Sequence, residues 1–169
     1  AYCPWTWRNW WDFGTGLVGD LGCHVLSTPF KALKLTHPVS VEASSTINDF
    51  EIHPHGVIAR FEFPARGTMP PLTLTWYDGG LKPARPKRMK AYGRPPRKLP
   101  RSKGHFEEFV DACRGGPAAG ANFPDHAGVL TETCMLSNAA LHAGKKLEWD
   151  GPNMKFTNDA SANRFLTRE

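Results

Sequence analysis

The sequence predicts an α+β fold: an open, mostly antiparallel sheet with helices packed on one face, in a single domain over residues 1–169. Three observations predict it. Segments of period-two alternation cluster in the first half of the chain, at 39–47, 57–63 and 72–77. Segments of helical period flank them, at 17–35 before and at 103–115 and 130–143 after. A short turn with three prolines and Gly67 joins 57–63 to 72–77, so those two strands read as an antiparallel pair.

Each element has its own reason. Leu17, Val18, Leu21, Val25 and Leu26 give residues 17–27 an apolar helical face. Thr28-Pro29 is an N-cap and first-turn pair that restarts or kinks the helix through 30–35, and His37-Pro38 ends it. In the strand 57–63, Val57, Ala59, Phe61 and Phe63 face one way. In 72–77, Leu72, Leu74 and Trp76 oppose Thr73, Thr75 and Tyr77, and Asp78-Gly79-Gly80 stops the strand. The helix over 103–115 puts Phe106, Phe109, Val110 and Cys113 at helical spacing, with Gly115-Gly116 as its stop. Residues 130–143 form the longest helix, with Gly144 as C-cap. A short strand at 147–149, a turn at Asp150-Gly151 and an extended piece at 153–157 follow, and the tail is a short helix or frayed.

Composition limits the classes. A 169-residue chain with 40% hydrophobic and 22% charged residues is globular and large enough for a sizeable core. No apolar run reaches the length of about 18 residues that a membrane helix needs. The chain does not begin with Met, as a processed or excised product would not. Cys3, Cys23, Cys113 and Cys134 form no CxxC pair, which argues against a zinc ribbon or a thioredoxin-like site, and Cys23 and Cys134 read as buried thiols. The net charge is +5, but ten of the 21 basic residues fall in 82–103, a stretch with five prolines and no acid. It reads as a solvated, proline-stiffened basic loop. Without helical periodicity or interleaved aromatics it argues against nucleic acid as a partner.

The chemistry concentrates near the N-terminus. Gly14-Thr-Gly-Leu-Val-Gly-Asp20-Leu-Gly-Cys-His24 is a glycine-rich turn that runs into a helix. Asp20 and His24, four apart, share a helical face, where a carboxylate can fix the tautomer of an imidazole and raise its basicity. Four of the six tryptophans lie in the first eleven residues, beside Arg8 and Asp12. Indole faces next to charged groups suit a polar ring such as a sugar, although tryptophans there also serve simply to pack the segment. The Gly14, Gly16, Gly19 spacing spells a dinucleotide turn, but no strand precedes it and Asp20 follows at once, so that reading is rejected. His53 and His55 lack a third metal ligand at familiar spacing, so no metal site is read.

The strings WRNWWDFGTGLVGDLGCHVL, FEFPARGTMPPLTLTWYDGG, ANFPDHAGVLTET and GKKLEWDGPNMKFTN, in that order and spread over nearly the whole chain, resemble the C-terminal half of bacterial Gfo/Idh/MocA oxidoreductases. The likeness is to the subgroup common in Bacteroidetes and Planctomycetes. The resemblance implies an open sheet that forms a homo-oligomer interface, and a sugar, cyclitol or glycoside as substrate. It implies NAD or NADP bound by an N-terminal Rossmann domain, so that this chain alone is not expected to bind the cofactor or act as a dehydrogenase. The family's DxxxH motif falls on Asp20 and His24: His24 would be the acid/base at the substrate hydroxyl, and Asp20 would orient it or hold a neighbouring hydroxyl. Arg8, Trp11, Asp12, Trp76, Tyr77, Asp78 and His126 are the candidate substrate contacts. The lysine of the family's Glu-Lys-Pro motif is not among these residues, since Leu81-Lys82-Pro83 is not equivalent, and Ser27 stands where many relatives carry an acid. The compartment stays open between periplasm and cytoplasm. Two other readings remain: a stand-alone, redox-neutral glycoside hydrolase or lyase that uses the same pair, and a non-catalytic oligomerisation or carbohydrate-binding module.

Overall fold

The structure is a computed structural model that describes residues 4–47, 49–84, 96 and 101–167. Most of the basic stretch 82–103 lies outside the described residues. A 3-10 turn at Thr6–Asn9 precedes α1 (Gly16–Ala32), then β1 (Ser40–Ser45), β2 (Val57–Phe63) and β3 (Leu72–Tyr77). After these come α2 (His105–Cys113), a π-helical turn (Phe123–Ala127), α3 (Gly128–Ala143), β4 (Leu147–Asp150), β5 (Lys155–Phe156) and a 3-10 helix (Ala160–Leu166). The five strands form one sheet in the order β3-β2-β1-β4-β5, and every pairing is antiparallel. The fold is α+β with an open antiparallel sheet.

Alternation along the strands makes two unlike faces. Val57, Ala59, Phe61 and Phe63 of β2 are buried under the helices, with Val41 of β1 and Leu147 of β4. The opposite face carries Arg60 beside Glu42 and Thr75, and Glu62 beside Ser40 and Thr73. Glu62 accepts hydrogen bonds there from Lys146 Nζ and Ser40 Oγ, both at 2.7 Å, and these hold its carboxyl below the usual range, the lysine most. No helix covers this face among the described residues.

The helical layer is built on α1 and α3. Val18, Gly22, Leu26 and Phe30, spaced by four, are the buried seam of α1. A Cβ on Gly22 would lie 3.0 Å from Cys134 Sγ, so glycine lets the two helices come this close. α3 is buried almost all round, between α1 and the sheet. Its buried hydroxyls bond backwards within the helix: Thr133 Oγ1 donates to Val129 O at 2.9 Å and Ser137 Oγ to Cys134 O at 2.7 Å. Phe30 meets Phe63 edge to face, with centroids 5.7 Å apart.

Several expectations change. Cys23 is only part-buried, and Leu21 and Val25 of the expected apolar face are exposed, because the buried seam of α1 runs along Val18, Gly22, Leu26 and Phe30. α1 is one helix through Pro29, without a restart. Pro29 denies the Val25 carbonyl its helical donor, but Val25 is exposed, so solvent can take the donor's place. The apolar stripe of α2 does not face a core: no residue of α2 is buried, and Phe106 and Phe109 are 73% and 61% exposed. Periodicity guarantees a stripe but not its partner. Polar contacts tie α2 down instead: Gly120 N donates to Glu108 Oε2 at 3.0 Å, and Lys31 Nζ of α1 donates to Gly120 O at 2.8 Å.

Asp78 locks the end of the β2–β3 ladder. It is buried, and its two oxygens accept from Val57 N at 2.6 Å and from Trp76 Nε1 at 2.8 Å. Asp78→Ala strands two buried donors and should cost about 2–4 kcal/mol. Urea unfolding of the chain checks this, and a change under about 0.5 kcal/mol, the scatter of an ordinary surface substitution, would refute it.

Candidate functional site

The N-terminal segment has little secondary structure of its own, yet it is stitched to the loop between β1 and β2. Trp11 N donates to Glu51 O at 3.0 Å, His53 N donates to Asn9 O at 2.6 Å, and Trp10 bridges Ile52. Gly14 N turns back to Trp10 O at 2.7 Å, and the chain then enters α1. This folding brings Arg8 onto the helix. Its Nε lies 2.8 Å from Asp20 Oδ2, and its guanidinium sits 4.8 Å from the centre of the Trp5 ring and 5.5 Å from that of Trp7. Arg8 Nε is buried and meets Asp20 off the line of a hydrogen bond, so the pair is held by charge. Cation–π contact with two indoles steadies it further.

Asp20 therefore has Arg8 as its partner, and no hydrogen bond joins it to His24 among the described residues. His24 stands exposed one turn further along α1. One turn beyond, Ser27 Oγ is 2.9 Å from Nε2 of buried His126, which the π-helical turn carries. The turn is fixed by Asn122, whose Oδ1 accepts from Asp125 N at 2.9 Å. Asp20, His24 and Ser27 thus line one side of α1 as a polar lane, with Arg8 at one end and His126 at the other.

The other candidates lie elsewhere. Trp11 packs between His53 and His142, at 4.6 and 4.3 Å, and its Nε1 donates to Asp49 O at 3.0 Å. It borders a separate cavity of about 320 Å³ with Asn138 and Phe165. Asp12 is exposed. Trp76 and Asp78 are engaged with each other, and Tyr77 alternates onto the sheet face away from the helices. The structure brings Arg8, Asp20, His24 and His126 together along α1, and leaves Trp11, Asp12, Trp76, Tyr77 and Asp78 outside that lane.

Beside Arg8 opens a cavity of about 650 Å³, between the N-terminal segment, the start of α1 and the loop 46–55. Leu17, Ile47 and Ile52 are wall residues that the sequence did not single out for a site. Their only signal is long-range, because the Trp10–Ile52 bridge joins segments about forty residues apart with no local pattern. His53 is buried here, with Nδ1 3.1 Å from Pro54 O and Nε2 3.3 Å from Asn138 Oδ1. Among the described residues no three His, Cys, Asp or Glu side chains gather as a metal set.

A Cβ at Gly14 would strike the Arg8 backbone, one at Gly16 the His53 ring, and one at Gly19 the Thr15 side chain, so these glycines let the turn pack closely against the chain itself. Burial, and then the neighbouring Cys23, push the Cys134 thiol far above its ordinary range.

The chain matches no protein-family model and no curated protein sequence.

Burial between Trp11 and Phe165, and then the charges of His53 and Arg164, hold the His142 imidazole below its ordinary value of 6.5. A lowered value in the folded state means that the unfolded chain takes up the proton first. Stability is therefore full above 6.5 and declines as the pH falls through the lowered value. His142→Gln should flatten thermal stability between neutral pH and about pH 5, the range in which histidine titrates. An unchanged slope would assign that loss to other groups.

Proposed function

We propose that this chain is the substrate-holding and proton-transfer part of an NAD(P)-dependent oxidoreductase that acts on a sugar, cyclitol or glycoside. The observation that carries the reading is the Arg8–Asp20 pair under two indoles, with exposed His24 one turn away. It is joined by the resemblance of the four motifs to Gfo/Idh/MocA oxidoreductases. A sugar ring offers apolar C–H faces and a rim of hydroxyls. The Trp7 face suits the first, and a carboxylate held in place by arginine suits the second. His24, which has no hydrogen-bond or ion-pair partner among the described residues, can accept a hydroxyl proton as an alcohol carbon becomes a carbonyl. The nicotinamide of the cofactor supplies the hydride chemistry when bound.

Leu21 and Val25, which are exposed beside His24 on α1 and call for a cover, support a dinucleotide held on a separate Rossmann unit. Ile58 and Tyr77 on the uncovered sheet face support association between copies of the chain. The ion pair also weighs between chemistries. Glycoside hydrolysis ordinarily uses two carboxylates flanking the bond, and a single carboxylate clasped by arginine suits holding a sugar better than attacking one. No helix among the described residues is long and apolar enough to cross a membrane.

The test needs the dinucleotide unit in the assembly. There, His24→Ala should lower kcat by about 10²–10⁴-fold and leave the KM for the sugar nearly unchanged. Arg8→Met should chiefly raise KM. Undiminished turnover in His24→Ala would remove it from the chemistry.

A further inference from the structure

The cavity beside Arg8 has walls of a definite character. Trp5, Leu17, Ile47, Ile52 and Pro54 supply apolar surface, and Trp5 and Ile47 are 69% and 76% exposed at its mouth. Several polar wall residues are engaged elsewhere. Thr46 Oγ1 accepts from Gly56 N at 3.3 Å, and Asp49 Oδ1 accepts from Glu51 N at 2.7 Å. His53 has both ring nitrogens against acceptors, and Arg8 holds Asp20. A second sugar ring would ask these groups for hydrogen bonds they already make, whereas an apolar ring asks for contact area. Phe50, between the wall residues Asp49 and Ile52 in sequence, is 91% exposed.

The cavity meets the polar lane at Arg8, which is part of its wall; Asp20 and His24 lie beyond that wall. Leu17 lines the cavity, and Leu17, Asp20 and His24 stand at i, i+3 and i+7 on one side of α1. Seven residues at 1.5 Å each put His24 about 10 Å further along the helix than Leu17. That is about the length of one sugar ring joined to one aromatic ring. Arg8 belongs to both halves: it borders the cavity and fixes the Asp20 carboxylate.

Resting on the reading of Asp20 and His24 as a sugar site, we propose that the substrate is a glycoside with a flat, apolar aglycone. The sugar lies along Asp20 and His24, and the aglycone fills the cavity between Trp5, Leu17 and Ile52. Arg8 sits at the junction. The cavity selects the substrate, and the lane carries the proton transfer.

Binding tests this without a cofactor. The chain is titrated with matched pairs of 2-naphthyl and methyl glycosides of glucose, galactose and N-acetylglucosamine, and with free 2-naphthol, and tryptophan fluorescence is followed. The expected result is one naphthyl glycoside bound about tenfold or more tighter than both its methyl partner and naphthol. Leu17→Lys should erase that advantage while leaving methyl glycoside binding in place. Ile52→Asp serves as a second variant if the first melts early. Equal binding of naphthyl and methyl glycosides overturns the aglycone site and spares the sugar site. Naphthol bound as tightly as its glycosides, with no methyl glycoside bound, overturns the proposal together with the sugar reading. So does a chain that binds none of these probes.

Discussion

The seam between α1 and α3 governs the rest of the molecule. Val18, Gly22, Leu26 and Phe30 bury one side of α1 against α3 and the sheet, and Gly22 lets the two helices approach to the Cys134 sulfur. A helix held so firmly on one side presents its other side in a fixed order. Asp20, His24 and Ser27 take their positions from this packing, as do the exposed Leu21 and Val25. Burial of the four seam residues is worth several kcal/mol, far more than the surface pairs near them. The polar lane is therefore a consequence of the hydrophobic one.

The second constraint is the stitching of the N-terminal segment to the loop 46–55. Few of its residues are buried, so backbone bonds and ring contacts hold it. Arg8 converts that stitching into a site. Attraction to Asp20 and contact with Trp5 and Trp7 place one guanidinium between the cavity and the lane. At the far side of the loop Asp78 anchors Val57, so the cavity wall that ends at His55 rests on a fixed strand.

The sheet was legible in the sequence because strands with one buried face alternate strictly. Residues 57–63 and 72–77 match β2 and β3 to the residue. The C-cap was legible too, since Gly144 takes the left-handed conformation, φ 65°, that closes α3. α2 misled, because an apolar stripe reads the same whether or not something covers it. Helical spacing put Asp20 and His24 on one face of α1, but could not reveal that Arg8, twelve residues earlier, takes the carboxylate. That depends on the fold of a segment with no periodicity. Tryptophans near a charged pair were likewise visible, whereas their division was not: Trp5 and Trp7 flank Arg8, while Trp11 packs against two histidines.

The central claim is that His24 moves a proton for a reaction whose dinucleotide lies on another unit. The most direct measurement follows the near-ultraviolet absorbance of reduced nicotinamide in the protein purified from its source, before and after a glycoside is added. The account predicts that NAD or NADP co-purifies in the assembly, that its redox state changes when the glycoside is added, and that His24→Ala keeps the dinucleotide bound but abolishes the change. An assembly without dinucleotide, or one whose dinucleotide responds equally well without the His24 imidazole, would contradict it.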